Sequence, residues 1–399
     1  MLSACDRFNY GDLLFPILVG NYFASCAPRP ELLVHALVDS DLGRWGGLPT
    51  RSLRKLLRKG VLPQDGVVMF AGGGTLGASW TNMHANLLGH GGNLALYYIS
   101  RLLGARTGNR ISRFCLGGRS AFPWAAKPAD FPVPARVVYN AVGGSELVGL
   151  PADAFREILD ILSEATHLSV RDAETKRILA PIDADGFVRL APDSAILMSE
   201  QFPRAVLESR AGDGIKRLTT GGGRYLCFQS NKGFARLHFD QIVDQLQRIY
   251  RQHGLRCVLL PIGRYVGLED QVCEAEIARA LDTPAAMAGD DLSLWEIMYT
   301  IANADVFVGT SLHGNVTAQS FGVPHLGLSE SPCKVDYYLK TWDLPEQADC
   351  APIPALVDRV GTVLGISKSR LDEKSRDLIR LSHENFRDMA AAIGIAAPA

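Results

Sequence analysis

The feature that most constrains the fold is an alternation of short apolar runs with longer amphipathic stretches, which repeats along most of the chain. In the first half, the candidate strands are residues 36–38, 66–71, 112–117, 135–142 and 167–170. The candidate helices between them are Leu13–Phe23, Leu87–Leu103 and Asp153–Glu164. Because alternating strands and helices form parallel sheets with crossover helices, the pattern predicts an α/β fold.

The alternation breaks once, over residues 207–224, which are rich in glycine, threonine and charge. We interpret this stretch as an interdomain linker. It divides the chain into a Rossmann-like domain of residues 1–206, a second Rossmann-like domain of residues 225–354 and a helical tail of residues 355–399. Two such domains facing a central cleft form a GT-B-like layout. In sheets of this kind, ligands bind beyond the carboxyl ends of the strands.

Charge and cysteine content exclude several classes of protein. The 399 residues carry 41 basic and 42 acidic side chains, so no general affinity for nucleic acid is expected and an anion site must be a local cluster. The eight cysteines are scattered without a Cys-x-x-Cys pair, which predicts neither a disulfide framework nor a metal site. The first residues do not form a secretory signal, and no apolar run is long enough for a membrane span. We therefore expect a cytoplasmic protein without metal or cofactor.

Two glycine-containing loops follow strand candidates in the first domain. Asn9, Gly11 and Asp12 stand in the first loop, where turn and capping chemistry is as good an interpretation as contact with a ligand. The second loop contains Gly73 and Gly74 in the run "AGGGTLG". These glycines either form a tight turn or allow a ligand to approach the backbone closely.

Three cations also follow strand candidates. Arg171 lies where a ligand in the cleft is expected, and the alternative is an ion pair at the surface or between the domains. Lys232 and Arg264 stand in polar loops of the second domain. For both of these residues, a solvated loop is the simpler interpretation.

The stretch "FVGTSLHGN" places a histidine at a strand-to-helix turn. Thr310 or Ser311 can cap the helix, which leaves His313 in its first turn. Backbone amides and the helix dipole favour an anion there, and a nearby anion favours a protonated histidine. Lys334, in the next loop, is expected to reach the same region. We therefore predict a catalytic role for His313.

Several of these segments together resemble the polysaccharide pyruvyl transferases. The shared motifs follow the family's order along the chain. They are "NYGD" (9–12), "GGGTLG" (72–77), "SVRDAET" (169–175), "APDSAIL" (191–197), "CFQSN" (227–231), "LLPIG" (259–263), "ADVFVGTSLHGNVTAQSFGVPHLGL" (304–328) and Lys334.

The resemblance implies a GT-B-like fold and transfer of a pyruvyl group from phosphoenolpyruvate, as co-substrate, to a sugar in exopolysaccharide biosynthesis. The product is usually a cyclic ketal bridging two hydroxyls. It implies that His313 is catalytic and that Arg171 and Lys334 bind the donor. Many members carry arginine where this chain has Ser311, so Ser311 is expected to stand at the donor site and Lys232 or Arg264 to replace that cation.

The first domain is expected to bind the acceptor through Asn9, Asp12, Gly73 and Gly74, and the second to bind the donor. The acceptor is a sugar or a lipid-linked oligosaccharide, and a lipid-linked acceptor implies peripheral association with the inner face of the membrane. Two alternatives remain open from the residues alone. These are a GT-B nucleotide-sugar glycosyltransferase and a non-catalytic glycan-binding protein.

Overall fold

Two parallel sheets, one in each half of the chain, organise the protein. The computed structural model describes residues 1–74, 76–88, 90–264, 269–330 and 332–396. The strands are β1 (His35–Ala36), β2 (Arg51–Ser52), β3 (Val67–Phe70), β4 (Gly73–Gly74), β5 (Arg136–Gly143), β6 (His167–Val170), β7 (Val188–Leu190), β8 (Tyr225–Gln229), β9 (Arg256–Leu259), β10 (Ala285–Met287), β11 (Val306–Gly309) and β12 (His325–Gly327).

The helices lie around these sheets and between them. They are α1 (Tyr10–Ala24), α2 (Leu53–Leu56), α3 (Trp80–Leu87), α4 (His90–Leu103), α5 (Ala105–Leu116), α6 (Ala152–Ser163), α7 (Ala173–Ile178), α8 (Met198–Gln201), α9 (Arg204–Arg210), α10 (Asp213–Thr220), α11 (Lys232–Leu237), α12 (Phe239–His253), α13 (Asp270–Ala280), α14 (Leu294–Ala302), α15 (Leu312–Ser320), α16 (Lys334–Trp342), α17 (Leu356–Leu364) and α18 (Lys368–Ala392).

The second sheet has the order β10-β9-β8-β11-β12, and all its strands are parallel. The chain moves outward from β8 in one direction and then continues on the other side with β11. This change of direction is a topological switch point, and the loops after β8 and β11 diverge there to leave a crevice. Strand β8 ends at Gln229, the loop after it contains Ser230 and Asn231, and the loop after β11 leads to His313.

The first sheet contains a second switch point. Its strands run β3-β5-β6-β7, with β4 paired to β5. Leu2 forms parallel bridges with both His35 and Phe70, so the first residues lie between β1 and β3. The loop that follows Leu2 and the loop that follows β3 therefore separate at the sheet edge. The two switch points supply the loops of one cleft, and the predicted GT-B-like α/β architecture is confirmed.

An apolar core joins the two halves. One continuous buried cluster includes Leu14 and Phe15 of α1 together with Leu312 and Val316 of α15. Separate apolar clusters lie under the outer faces of the first and second sheets. Because α1 is buried along most of its length, it fixes the first loop of the chain against the start of α15.

The C-terminal tail is helical, as predicted, and α18 returns to the first domain. Its Asn385 donates from Nδ2 to Asn140 Oδ1 at 2.8 Å and lies 3.3 Å from His167 Nε2. Phe386 of the same helix is fully buried and stacks on Tyr22 of α1. The tail thus packs against both the first sheet and α1.

Two local expectations from the sequence differ from the structure. The strand expected at 112–117 is wrong, because these residues mostly belong to α5, which ends at a left-handed Gly117 with φ 75°. Helix α5 buries Gly108, Ser112 and Leu116, a spacing of four residues that hydropathy does not reveal because two of the three are small or polar. The stretch 207–224 is largely helical, since it holds the end of α9 and all of α10.

Candidate active site

A cavity of about 250 Å³ lies between the carboxyl ends of the two sheets. Both halves of the chain contribute polar side chains to its wall. Of the residues expected from the sequence, those that line it are Asn9, Asp12, Gly74, Arg171, Ser311, His313 and Lys334. The loops at the two switch points therefore bring most of the predicted site residues together.

His313 is held in place by the cap and by α1. Ser311 is the N-cap of α15, and its Oγ accepts a hydrogen bond from Gly314 N at 3.2 Å. The imidazole meets Phe15 edge-on, with 5.3 Å between ring centroids, and is 13% exposed. Its other neighbour is Gly11, where an added Cβ would stand 1.8 Å from His313 Nδ1. Only glycine at this position leaves room for the ring.

Asp193 connects the histidine to the buried arginine. Its Oδ2 accepts from Arg171 Nη1 at 2.8 Å and lies 3.6 Å from His313 Nε2, while Oδ1 accepts from Ala195 N. The carboxyl is fully buried, which by itself would raise its pKa. His313 and Arg171 outweigh that burial and lower the pKa of Asp193 to about 2. Asp193 is therefore an anion that orients two of the predicted residues.

Asp193 was not selected from the sequence, although it stands in the motif "APDSAIL". A Pro-Asp-Ser run after a short strand also fits simple helix capping, and Asp193 does cap the turn Ser194–Leu197. The sequence contains no local sign that the same carboxylate meets residues 22 positions earlier and 120 positions later. That contact depends on the packing of the two halves.

Arg171 is almost completely buried, and its Nε has no hydrogen-bond partner in the described structure. Its guanidinium lies against two glycines, since an added Cβ on Gly74 would stand 2.8 Å from Nη2 and one on Gly143 would stand 2.8 Å from Nε. The indole of Trp342 donates to the Arg171 carbonyl at 2.7 Å across the domain interface. These glycines make space for a planar cation with donors available to a ligand.

Lys334 begins α16 and approaches the cavity from the second domain. The residue as a whole is exposed in the cleft. Its ammonium group, however, is surrounded by protein atoms of the cavity wall. That desolvation, followed by repulsion from Arg171, lowers the pKa of Lys334, and Asp12 and Glu146 partly offset the effect. Two cations from different domains thus meet at one cavity, which is a favourable setting for a multiply charged anion.

Lys232 and Arg264, expected to replace the family's arginine, do not line this cavity. Lys232 Nζ lies 2.5 Å from Glu269 Oε2. Arg264 lies over the ring of Phe8 at 4.2 Å and donates to Leu292 O at 2.6 Å. Burial lowers the pKa of Arg264 to about 10. Their role in donor binding stays a prediction.

Arg7 is a further cation in the cavity wall, and the sequence reasoning did not select it. Its Nη1 lies 2.8 Å from Asp6 Oδ1, and its Nη2 lies 3.2 Å from the sulfur of Met83. Arg7 stands two residues before the "NYGD" motif. That position next to a predicted site loop was the feature of the sequence from which it could have been selected. Arg7 lines the cavity from the first domain while paired with Asp6.

The predicted acceptor residues form the wall next to Arg7. Asn9 donates from Nδ2 to Asp12 Oδ2 at 2.7 Å, and Asn9 pairs with Gly263 in a backbone bridge between the domains. Gly74 lines the cavity, whereas Gly73 is buried with φ 96° and pairs with Val142. Gly73 therefore shapes the turn that presents Gly74.

Asp270 and Gln229 form a second polar group in the cavity wall. Asp270 Oδ2 accepts from Gln229 Nε2 at 2.7 Å and from Gly263 N at 2.8 Å, while its Oδ1 has no partner among the described residues. Gln229 Oε1 in turn accepts from Ser311 N at 2.8 Å. Burial raises the pKa of Asp270 to about 6, so this carboxyl titrates close to neutral pH.

Within the described ranges, no three His, Cys, Asp or Glu side chains come together in a way that could hold a metal ion. No described helix has the length and apolar character needed to cross a membrane.

Comparison with known proteins identifies one family. The family model for polysaccharide pyruvyl transferase matches residues 9–332, and this range contains every predicted site residue except Lys334. No significant match was found among curated proteins.

Solved structures give more distant similarities. UDP-GlcNAc 2-epimerase from Methanocaldococcus jannaschii matches with 12% identity and a TM-score of 0.43, over 58% of this chain and 63% of that one. The Rickettsia bellii UDP-N-acetylglucosamine 2-epimerase matches with 11% identity and a TM-score of 0.45, over 65% and 68%. Trehalose 6-phosphate synthase from Burkholderia multivorans matches with 14% identity and a TM-score of 0.41, over 65% and 64%. The chain thus spans about two thirds of these structures.

Proposed function

The chain belongs to the polysaccharide pyruvyl transferase family, and from this premise we propose that it transfers a pyruvyl group from phosphoenolpyruvate to a sugar of a polysaccharide or its precursor. The product is a cyclic ketal bridging two hydroxyls, and phosphate is released. The observation that supports this most is the buried Asp193, which contacts both Arg171 and His313 in a cavity that also holds Lys334.

The cations of the cavity suit this donor. Phosphoenolpyruvate carries a carboxylate and a phosphate, and an arginine fork binds either group with two parallel hydrogen bonds. Arg171 has an unpartnered Nε, and Lys334 supplies a point charge from the opposite domain. Arg7 adds a third cation on the side of the first domain. The start of α15 adds backbone amides that favour an anion.

In the proposed reaction, His313 is the general acid. Its Nε2 lies 3.6 Å from Asp193 Oδ2, and the residue lines the cavity in which the anion is proposed to bind. His313 gives its proton to the methylene carbon of phosphoenolpyruvate, which becomes the methyl group, and C2 becomes electrophilic. A sugar hydroxyl attacks C2, the C2–O bond to phosphate breaks, and a second hydroxyl closes the ketal. The proton of one hydroxyl passes by way of Asp270 to the departing phosphate, and the proton of the other restores His313.

The sugar lies on the Asn9 and Asp12 side of the cavity in this proposal. Asn9 and Asp12 can bind hydroxyls, and Gly74 lets the ring approach the backbone. Asp270 is the group best suited to accept a hydroxyl proton, because its buried Oδ1 is unpartnered and its pKa of about 6 leaves it mostly ionised at neutral pH.

The direct test is turnover with purified protein. Phosphoenolpyruvate and a panel of lipid-linked and nucleotide-linked sugars should release phosphate and produce a ketal methyl signal by NMR. We expect His313→Ala to lower kcat by ~10²–10⁴-fold, since general acid catalysis contributes about that much. The matched control is His383→Ala, which removes a histidine paired with Glu200 at the surface.

Other outcomes would point elsewhere. Unchanged turnover in His313→Ala, with both variants folded, would remove the histidine from the mechanism. Consumption of sugar nucleotides without phosphoenolpyruvate would identify a nucleotide-sugar glycosyltransferase. Binding of glycan without affinity for phosphoenolpyruvate would identify a glycan-binding protein.

A further inference from the structure

Helices α4 and α5 expose an unusual number of large apolar side chains. Leu102 is 81% exposed and Phe114 is 83% exposed. Of the twelve large apolar residues exposed in the described parts of the chain, seven belong to this helix pair. They are Leu94, Tyr97, Tyr98, Leu102, Leu103, Ile111 and Phe114, and we call them the α4–α5 surface.

These helices turn many of their large apolar side chains toward solvent, whereas a helix pair that packs on a core buries them. On α4, Leu94, Tyr98 and Leu102 recur every four residues, which places them in one stripe. On α5, the buried face consists of Gly108, Ser112 and Leu116, whereas Ile111 and Phe114 face solvent. A contiguous exposed apolar patch on a globular protein usually marks an interaction site.

The charged residues of the segment that forms this surface are all basic, although Arg106 pairs with Asp153 and Lys127 pairs with Glu164 from outside the segment. Residues 66–129 contain no aspartate or glutamate, although the whole chain has 42 acidic residues. The same segment carries Arg101, Arg106, Arg110, Arg113, Arg119 and Lys127. A net charge of −1 for the whole chain therefore conceals a strongly basic and apolar region.

The surface is adjacent to the catalytic cavity through α3. Met83 and Asn86 of α3 line that cavity. Asn82 and Ala85 of the same helix line a separate groove of about 470 Å³, whose other wall includes Tyr97. One helix therefore separates the site from a groove that opens beside the α4–α5 surface.

We propose that the α4–α5 surface docks the protein onto an anionic lipid bilayer. Helices with aromatic and aliphatic side chains on one face and arginines beside them lie in the interfacial layer, where the apolar groups enter the acyl boundary and the arginines meet lipid phosphates. Delivery of a lipid-linked acceptor to the cavity through this contact rests on the proposed function. Binding to the bilayer does not.

The charge pattern favours a bilayer over a second copy of the chain. Pairing two copies through this face would bring Arg101, Arg110 and Arg113 of both copies together. Residues 66–129 offer no carboxylate of their own, and Asp153 beside them is already paired with Arg106. An anionic bilayer supplies that complement over the whole face. The surface thus matches a partner that is both apolar and negatively charged.

The test is co-sedimentation with vesicles, which requires no turnover. The protein should bind vesicles of phosphatidylglycerol and phosphatidylcholine more tightly than vesicles of phosphatidylcholine alone, and added salt should weaken binding. Leu102→Glu combined with Phe114→Glu should reduce binding at least about tenfold, because carboxylates are costly in the apolar layer. The control is Leu237→Glu, which alters a leucine that is 66% exposed on α11.

A second pair of variants tests the charge. Arg110→Gln with Arg113→Gln should weaken binding to the anionic vesicles, whereas Arg248→Gln with Arg251→Gln on α12 should not. Absence of wild-type binding, or equal loss in the controls, would overturn the proposal. So would light scattering that shows a dimer abolished by the Leu102 and Phe114 changes. Loss of vesicle binding with unchanged phosphate release on a soluble acceptor would separate docking from catalysis.

Discussion

At the scale of single residues, the site depends on small groups that leave space for larger ones. Gly11 faces the ring of His313, and Gly74 and Gly143 face the guanidinium of Arg171. Because these glycines lack side chains, they set the positions of His313 and Arg171.

Gly11→Ala should displace His313, because its methyl group would overlap the imidazole. We expect a fall in kcat comparable to that of a direct change at the histidine. Gly20→Ala is the matched control in the same helix, since an added Cβ there meets no atom within 4 Å. That control should keep activity and gain up to about 1 kcal/mol of stability from helix propensity. Equal activity in the two variants would contradict the packing argument.

Asp193 makes a defined contribution to acid stability. Its pKa is lowered in the folded state from 3.8 to about 2, so the unfolded state binds the proton more tightly. The resulting stabilisation, about 2 kcal/mol, is fully present above pH ~4 and disappears as the pH falls through ~2. Chemical denaturation at several pH values should show this loss in the wild type.

Asp193→Asn should remove that acid dependence and also lower stability at neutral pH. The change leaves Arg171 buried without its anion, and breaking a buried pair in this way costs about 3–5 kcal/mol. The exposed pair Arg380–Glu384 on α18 provides the comparison. Glu384→Gln should cost less than about 1 kcal/mol.

At the scale of elements, the start of α13 connects both sides of the cleft. Asp270 accepts a hydrogen bond from the backbone of Gly263, and Gly263 forms a backbone bridge with Asn9. Asp270 also accepts from the side chain of Gln229, which in turn accepts from the amide of Ser311. One carboxyl therefore organises the loops after β8, β9 and β11. Its raised pKa reflects burial of this junction.

Asp270→Asn should preserve the fold, because an amide oxygen can replace Oδ2 as acceptor and the NH₂ group can occupy the position of the unpartnered Oδ1. If Asp270 accepts a hydroxyl proton, kcat should fall and the rise in activity between pH ~5 and ~7 should disappear.

Stability provides a second readout of the same change. A carboxyl with a raised pKa stabilises the fold below its unfolded pKa and loses this contribution as the pH rises through ~6. The variant should therefore gain stability relative to the wild type above pH 6. An unchanged pH–rate profile would assign Asp270 a positioning role only.

Elements also show where local pattern failed. Strands at 135–142 and 167–170 were predicted almost to the residue, because both are short apolar runs that are buried in the structure. The run "SRFCLG" looked equally strand-like. These residues form the C-terminal end of α5, where apolar side chains are exposed. The side chains on the buried face of this helix are mostly small or polar. Hydropathy assumes that apolar residues are inside, and this helix breaks that assumption.

At the scale of the whole molecule, the candidate site is assembled from two domains. Arg171 and Asp193 come from the first half of the chain, and His313 and Lys334 come from the second. An anion bound between them should hold the halves together. Ligand binding is therefore expected to be visible in the thermal stability of the whole chain.

Phosphoenolpyruvate should raise the Tm of the wild type, since saturation at 100 Kd adds about 2.7 kcal/mol to the folded state. Lys334→Met should largely abolish this shift by removing the cation of the second domain. Lys340→Met on the same helix is the control, because Lys340 faces Asp349 at the surface. An equal shift in all three proteins would place the ligand outside this cavity.

The sequence by itself determined the α/β class, the family and most of the candidate residues. These follow from local patterns: apolar period, strand-end loops, and motifs in a fixed order. Only the tertiary structure decided three other features. They are the pairing of Asp193 with Arg171 and His313, the position of Arg7, and the separation of Lys232 and Arg264 from the cavity. They depend on how two sheets pack across α1 and α15, and contacts between residues that are distant in the sequence leave no local mark.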